Sequence, residues 1–84
     1  MSSLNSDNKF ININIAILTI SDSRTLDNDS SGDLLEQRIT KFGHKVFKRK
    51  IIKDHIPTIK KTILDWSTNK FIDVIITTGG TGLT

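Results

Sequence analysis

A glycine-rich segment at positions 77–82, which reads Thr-Thr-Gly-Gly-Thr-Gly, has the residue types best suited to binding an anion. Glycine allows backbone N–H groups to approach an anion closely, and the threonine hydroxyls add short hydrogen-bond donors. The segment lacks the GK[ST] sequence of a P-loop and the G-x-G-x-x-G spacing of a dinucleotide-binding turn. From composition alone, an anion-binding loop and a glycine-rich turn without a ligand are equally good interpretations.

Two further polar segments contain groups suited to an anionic ligand. Residues 21–24 read Ser-Asp-Ser-Arg, and Arg24 offers a guanidinium of the kind that pairs with phosphate. Taken alone, this segment is more simply interpreted as an Asx-type turn with Arg24 in solvent. Residues 29–32 read Asp-Ser-Ser-Gly and are interpreted either as a helix N-cap or as a further set of anion-binding donors.

Asp54 is the candidate metal ligand of the sequence. Mg²⁺ prefers oxygen ligands and needs few from the protein when a polyphosphate supplies others. The commoner role for an aspartate at this position is to cap the helix that follows. His44 and His55 have no partners at metal-ligand spacing and are expected at the surface. The basic residues within 45–53 are divided between two strand faces, which favours a solvated edge over a nucleic-acid site.

The hydrophobic pattern predicts the elements that position these segments. Strands are expected at about 12–20, 44–52 and 71–77, with helices at about 31–41 and 56–69. Helices of this length allow right-handed crossovers, so the β-α-β-α-β order predicts a parallel sheet. Each polar segment then lies beyond the carboxyl end of a strand, and all of them are expected at one edge of the sheet.

Capping residues and apolar spacing predict the ends and the buried faces of the two helices. Asp29 or Ser30 is expected to cap the first helix, and Gly43 to end it at the C′ position. Asp54 is expected to cap the second helix. The residues predicted to form the buried stripes are Leu34, Leu35, Ile39 and Phe42 on the first helix and Ile56, Ile59, Ile63 and Trp66 on the second. The second strand carries too much charge for the centre of a sheet and is predicted to be an edge strand.

The composition is that of an ordinary globular protein with one small domain. Eighty-four residues, 36% of them hydrophobic and 25% charged, leave room for a single core, and residues 1–9 are expected to be disordered. Because there is no cysteine, the core has no disulfide or cysteine-bound zinc. The net charge of +3 suits a phosphate-bearing small ligand rather than nucleic acid. With no targeting segment and no membrane span evident, a cytoplasmic protein is expected.

Taken together, four motifs in their order and spacing are similar to the molybdenum cofactor biosynthesis protein B family and its molybdopterin adenylyltransferase relatives. The motifs are ILTISDSR at 17–24, DxSG at 29–32, Lys53-Asp54, and DxIITTGGTG at 73–82. The resemblance extends over about residues 13–84. It implies an α/β fold with a three-layer, doubly wound parallel sheet, like that of molybdopterin-binding domains. Residues 10–84 would be the N-terminal part of such a domain, truncated after the glycine-rich loop.

The resemblance also implies an activity and a set of site residues. Active relatives adenylate the terminal phosphate of molybdopterin with ATP and Mg²⁺, and the family assembles as trimers or hexamers. Asp54 would be catalytic through a magnesium ion. The residues that would bind substrate are Ser21, Asp22, Asp29, Ser31, Gly32, Thr78, Gly79, Gly80, Thr81 and Gly82.

The sequence departs from this family at its end. The family continues past the glycine loop with a Pro-Arg-Asp-Val-Thr-Pro-type segment that carries another catalytic aspartate, whereas this sequence ends at Thr84. A non-catalytic pterin-binding or oligomer-forming protein of the same family is therefore an alternative. A third hypothesis is a generic phosphate-binding α/β module.

Overall fold

The structure, a computed structural model, describes residues 10–79. The predicted disorder of residues 1–9 and the end of the glycine-rich segment lie outside this range. The described elements are β1 (Asn14–Ile20), a short 3₁₀ turn (Leu26–Asn28), α1 (Ser30–Lys41), β2 (Lys45–Ile52), α2 (Ile56–Ser67) and β3 (Val74–Gly79). This order confirms the predicted β-α-β-α-β sequence of elements.

The three described strands form one parallel sheet in the order β2-β1-β3. β1 lies in the middle, and its residues from Ile15 to Thr19 are all buried. A strand covered on both faces needs apolar side chains at successive positions, which explains the continuous run Ala-Ile-Leu in β1. β2 pairs with β1 alone among the described residues, in agreement with its predicted place at an edge.

Alternate residues of β1 contribute to two separate cores, one on each face of the sheet. Ile15 and Ile17 pack with Ile39 of α1, and half-buried Leu35 joins them. Ala16 and Leu18 form the other core with Ile52 and Trp66, the latter from α2. The helices therefore cover opposite faces of the sheet, which confirms the predicted three-layer, doubly wound fold.

The buried stripes of the helices are narrower than the sequence predicts. The prediction is wrong for Leu34 and Phe42, which are 48% and 68% exposed, and for Ile56, which is 66% exposed. α1 packs through Leu35 and Ile39, which lie one turn apart, so the neighbouring position 34 turns away from the sheet. Ile56 is the first residue of α2, ahead of the turns that contact the sheet through Ile59 and Ile63.

The ends of several elements also differ from the predicted ones. α2 ends at Ser67 and β3 begins at Val74, because the residues between them form a turn. In that turn the Asn69 side chain accepts a hydrogen bond from the Phe71 N–H at 2.8 Å, and the Ile72 N–H donates to the Asn69 carbonyl at 3.1 Å. These hydrogen bonds occupy the backbone at 71–72, which the sequence places in the strand.

Capping confirms one prediction at each end of α1 and contradicts the prediction for α2. Asp29 is the N-cap of α1 and accepts a hydrogen bond from the Gly32 N–H, and Gly43 follows the helix with a φ of +89°. The N-cap of α2 is His55 rather than Asp54. The His55 ring is 2.9 Å from the Thr58 hydroxyl, while Asp54 uses its own N–H to bind another loop.

β2 contains an irregularity that marks it as an edge strand. Ile15 of β1 lies opposite Val46, whereas the next residue, Ala16, lies opposite Lys48. Phe47 is therefore an extra residue in β2, as in a β-bulge, and its ring stacks on Phe71 at 6.3 Å between centroids. Among residues 10–79, neither helix is long and apolar enough to cross a membrane.

Candidate functional site

The carboxyl ends of the three strands meet at one edge of the sheet. Ile20, the last residue of β1, pairs with Ile52 of β2 on one side and with Gly79 of β3 on the other. The chain segments that leave these three strands therefore start side by side. In open parallel sheets this edge is where ligands bind.

A cavity of about 260 Å³ lies at this edge. It brings together five of the residues that the sequence singles out: Ser21, Asp22, Arg24, Asp54 and Gly79. Ile20 and Ser23 complete its lining. Three segments that are far apart in sequence thus contribute to one polar cavity, as the strand order requires.

Ser21 and Asp22 fix the shape of the loop after β1. The Ser21 hydroxyl accepts hydrogen bonds from the Ser23 N–H at 3.3 Å and the Arg24 N–H at 3.1 Å. Asp22 accepts a hydrogen bond from the Asp54 N–H at 3.1 Å, which joins the loop after β1 to the loop after β2. The Asp22 and Asp54 side chains are both exposed, so each carboxylate is open to solvent at the cavity.

Gly79 occupies a position that only glycine fits well. Its φ of +86° lies in the left-handed region, and a Cβ atom there would collide with the carbonyl oxygen of Ile20. The β3 backbone therefore passes close to β1 just where the cavity begins. Thr78, one residue earlier, is half-buried and pairs with Thr19 of β1. The predicted ligand residues Gly80, Thr81 and Gly82 lie outside the described residues.

Asp29 lies behind the cavity, with a fully buried carboxylate. Its Oδ2 accepts hydrogen bonds from the Thr19 hydroxyl at 2.7 Å and from Arg49 at 3.2 Å, while Oδ1 accepts from the Gly32 N–H at 3.1 Å. A guanidinium nitrogen of Arg24 lies 3.7 Å from Oδ1. Asp29 thus supports the residues around the cavity, and its predicted contact with substrate stays a prediction.

The hydrogen bonds to Asp29 keep it ionised despite its burial. Burial by itself acts to raise the pKa of this carboxyl. The hydrogen bonds from Thr19, the Gly32 backbone and Arg49, together with the charge of Arg49, outweigh burial and hold the pKa of Asp29 below its ordinary value. At neutral pH a negative charge therefore lies next to the Arg24 guanidinium.

The other two predicted residues of this segment lie in the first turn of α1. Ser31 is half-buried and Gly32 is buried. A Cβ atom on Gly32 would collide with the Asp29 carboxylate and lie 2.8 Å from Arg49. Gly32 is therefore required for the approach of Asp29 and Arg49 to the helix. Neither residue lines the cavity.

Arg49 is a structurally important residue near the site that the sequence analysis does not single out. Its side chain is 14% exposed and pairs with Asp29 at 3.2 Å, Asp33 at 2.8 Å and Glu36 at 2.9 Å. Burial acts to lower the pKa of Arg49, but its hydrogen bonds to these carboxylates raise the pKa overall. Asp29, the N-cap of α1, and Asp33 and Glu36 within the helix lie at helical spacing, so all three carboxylates face Arg49.

The carboxylates at the cavity could hold a cation only if a bound ligand supplied further oxygen atoms to it. Within the described part of the chain, no group of three or more His, Cys, Asp or Glu side chains could hold a metal ion. The cavity does contain two exposed carboxylates, Asp22 and Asp54. Magnesium is commonly held by one or two carboxylates together with substrate phosphates, so these residues fit that ion.

Comparisons with known proteins agree on one family. The family described as "Probable molybdopterin binding domain" matches residues 16–84. Curated relatives named "Molybdenum cofactor biosynthesis protein B" include one from Bacillus cereus, 43% identical over 68 residues, which covers 81% of this chain and 40% of the relative. The relative of the same name from Escherichia coli K12 is 37% identical over 76 residues, which covers 90% of this chain and 45% of the relative.

A solved structure gives the same result. The crystal structure of a protein named "Molybdenum cofactor biosynthesis protein B" superimposes with a TM-score of 0.83 at 39% sequence identity, and the match covers 88% of this chain and 46% of that one. The chain thus spans less than half the length of the relatives that it matches.

Proposed function

Because the chain belongs to the family of molybdopterin-binding domains, we propose that it acts in molybdenum cofactor biosynthesis by binding molybdopterin at the carboxyl edge of its sheet. The observation that supports this site is the convergence of Ser21, Asp22, Asp54 and Gly79 on one polar cavity. Molybdopterin carries a terminal phosphate, and Gly79 is the first glycine of the segment at 77–82 that would receive it.

The finer proposal is that the protein adenylates the terminal phosphate of molybdopterin. An oxygen of that phosphate would attack the α-phosphorus of ATP, and the bond from that phosphorus to the pyrophosphate oxygen would break. A phosphate monoester is largely a dianion at neutral pH, so the attacking oxygen needs no general base. The catalytic demand is to bring two anionic groups together against their mutual repulsion.

Asp54 suits this demand as a ligand rather than as a base. A bare carboxylate beside two phosphates would repel both, so an exposed aspartate in this cavity is useful when a cation is present. A magnesium ion, when bound, supplies positive charge that neutralises the phosphates and polarises the bond to be broken. The hydrogen bond from the Asp54 N–H to Asp22 would hold the two carboxylates on one side of the cavity.

The test is product formation by the full-length protein with molybdopterin, ATP and Mg²⁺, followed by mass spectrometry for adenylated molybdopterin. Asp54→Asn should bind molybdopterin but lose most of the product, because it keeps the side-chain shape and loses the charge. Asp65→Asn, on the exposed face of α2, is the control and should retain wild-type rates. Absence of product from wild-type protein that binds molybdopterin would refute adenylation.

That last result would instead favour the second candidate, a non-catalytic pterin-binding or oligomer-forming protein of the same family. Such a protein would use the same polar cavity for its ligand and would need no magnesium ion at Asp22 and Asp54. Light scattering of the full-length protein tests the proposed trimer or hexamer. Fractionation of cells tests the proposed cytoplasmic location.

A further inference from the structure

The β-bulge in β2 determines which face of the sheet its basic residues occupy. Before the bulge, Val46 packs in the core that α1 covers. Strict alternation would put Lys48 on this same face, but the extra residue of the bulge moves it opposite Ala16, which belongs to the core that α2 covers. Arg49 then faces the carboxylates at α1, and Lys50 lies with Lys48 on the α2 face.

The α2 face of β2 carries a row of positive charges without a counter-charge. The Lys48 ammonium lies over the Trp66 ring of α2, 5.9 Å from its centroid, which agrees with its place on this face. Lys45 precedes Val46 and so faces the α2 side as well. The three lysines, Lys45, Lys48 and Lys50, are exposed, and within residues 10–79 none of them takes part in an ion pair.

The outer edge of β2 presents backbone groups that could pair with a further strand. Among the described residues, β2 pairs with β1 alone. The Ile52 carbonyl accepts a hydrogen bond from the Ser21 N–H at 2.8 Å, so Ile52 directs its backbone groups toward β1. Ile51, the preceding residue, therefore directs its N–H and C=O outward. A row of such groups at a sheet edge is a template for an added strand.

The side chains along this edge select the kind of strand that fits. Lys48 and Lys50 lie two residues apart, roughly 6.6 Å along the strand, which is also the repeat of same-face side chains on a partner strand. Opposite charges across two strands stabilise the pairing, and like charges oppose it. A second copy of β2 would bring lysines against lysines and is disfavoured. On the other face, β2 presents half-buried Val46 and Ile51, which suit apolar neighbours.

We propose that the outer edge of β2 binds an extended segment of another protein in which acidic and apolar residues alternate. The acidic residues face Lys48 and Lys50, and the backbone of the segment pairs with the outward N–H and C=O of Ile51. A nucleic acid would satisfy the lysines but has no backbone groups that continue a sheet. This edge runs along the side of the sheet, so the proposal does not depend on molybdopterin binding or on adenylation.

The test is fluorescence anisotropy of the full-length protein with a labelled short peptide of alternating glutamate and valine, at neutral pH and physiological salt. Wild-type protein should bind this peptide. The same peptide with every backbone nitrogen methylated keeps its charge but cannot donate hydrogen bonds, and it should bind roughly tenfold or more weakly. Single-stranded oligo-dT of the same length should also bind more weakly than the peptide.

Matched variants separate the lysines of this edge from the general positive charge of the protein. The double variant Lys48→Gln and Lys50→Gln changes exposed positions, so it should fold normally and weaken peptide binding roughly threefold to tenfold. The double variant Lys41→Gln and Lys60→Gln removes the same charge from exposed positions of α1 and α2 and should leave the affinity unchanged.

Amide hydrogen exchange measured by NMR tests the strand pairing itself. The Ile51 N–H should exchange quickly in the free protein and slowly when the peptide is bound, because only the added strand offers it an acceptor. Slow exchange of this N–H in the free protein would show that the edge is already covered, by a second copy or by another part of the molecule, and would overturn the proposal.

Other results would overturn the proposal as well. One is absence of peptide binding by wild-type protein. Another is equal binding of the methylated peptide, which would show that charge alone accounts for the affinity. Equal affinity of the Lys48 and Lys50 double variant and wild type would remove the lysines from the site. Tighter binding of oligo-dT than of the peptide would assign the edge to a nucleic acid. The adenylation assay is independent of all these measurements, so failure of either proposal is recognised by itself.

Discussion

Asp29 joins three parts of the fold through one buried carboxylate. It binds β1 through the Thr19 hydroxyl, the first turn of α1 through the Gly32 N–H, and β2 through Arg49. All three contacts converge directly behind the loop that carries Arg24. At the scale of single residues, this carboxylate therefore ties β1, α1 and β2 together next to the loop.

Asp29→Asn should lower the free energy of unfolding by about 2–4 kcal/mol at neutral pH. The amide NH₂ that replaces Oδ2 cannot accept from Thr19 or Arg49, so Arg49 loses one of its carboxylate partners in a buried place. Urea denaturation measures the change. Asp27→Asn, at an exposed position of the 3₁₀ turn, should stay within about 0.5 kcal/mol of wild type. Equal effects of the two variants would show that the Asp29 contacts contribute no stability.

Acid should destabilise the protein through the same carboxylate. The pKa of Asp29 is lower in the folded state than its ordinary value of 3.8, so the unfolded chain takes up this proton first as the pH falls. The stability that the ionised form provides is complete above about pH 4 and is lost as the pH falls from there through the folded pKa. Urea midpoints between pH 2 and 7 should show this loss in wild type and a smaller one in Asp29→Asn. Parallel curves would contradict the assignment.

The sequence predicts that Asp29 caps α1, and it does not predict that Asp29 contacts Arg49. Asp29 as N-cap is predictable because the contact to Gly32 spans three residues and depends only on the local helix start. The contact with Arg49 joins residues 20 positions apart and arises only when β2 packs beside α1. No local pattern fixes that distance, so Arg49 looks like one of several basic residues on an edge strand.

At the scale of elements, the strand ends determine the shape of the cavity. β3 continues to Gly79, opposite Ile20, whereas the sequence predicts its end at Thr77. The glycine pattern suggests a loop there, but pairing with β1 extends the strand by two residues. The convergence of the loops could be predicted, because parallel order alone requires it. Their contacts, such as Asp22 with the Asp54 N–H, depend on tertiary geometry and could not be predicted.

Gly79→Ala should reduce both stability and ligand binding. A side chain at a φ of +86° is strained, and its Cβ atom would meet the Ile20 carbonyl, so a loss of about 1–3 kcal/mol is expected. Gly43→Ala is the matched control, because Gly43 has a φ of +89° but lies at the end of α1, before β2 begins. It should lose less stability, because its Cβ atom would meet only the Phe10 ring at 3.1 Å, and molybdopterin affinity should stay at the wild-type level. Equal loss of affinity in both variants would attribute the effect of Gly79→Ala to general destabilisation.

At the scale of the whole molecule, the described part has a well-buried centre and several large hydrophobic side chains at its surface. β1 is enclosed on both faces, yet ten large hydrophobic side chains are exposed among the described residues. They include Phe10, Phe42 and Phe71, which are 66%, 68% and 58% exposed. Single exposed apolar residues are normal, but several large ones on so small a chain indicate surfaces that other polypeptide covers.

The 84-residue chain by itself should therefore bind the dye ANS and associate at micromolar concentration. A chain of this size buries a small share of its surface, and the exposed aromatic residues give the dye and other copies a place to bind. The full-length relative from Bacillus cereus, of which this chain covers 40%, is the comparison and should bind little dye. Fluorescence titration and sedimentation measure the two properties. A monomeric 84-residue chain with sharp, cooperative unfolding and no dye binding would show that the two cores on either face of β1 are sufficient, and that the exposed side chains need no covering.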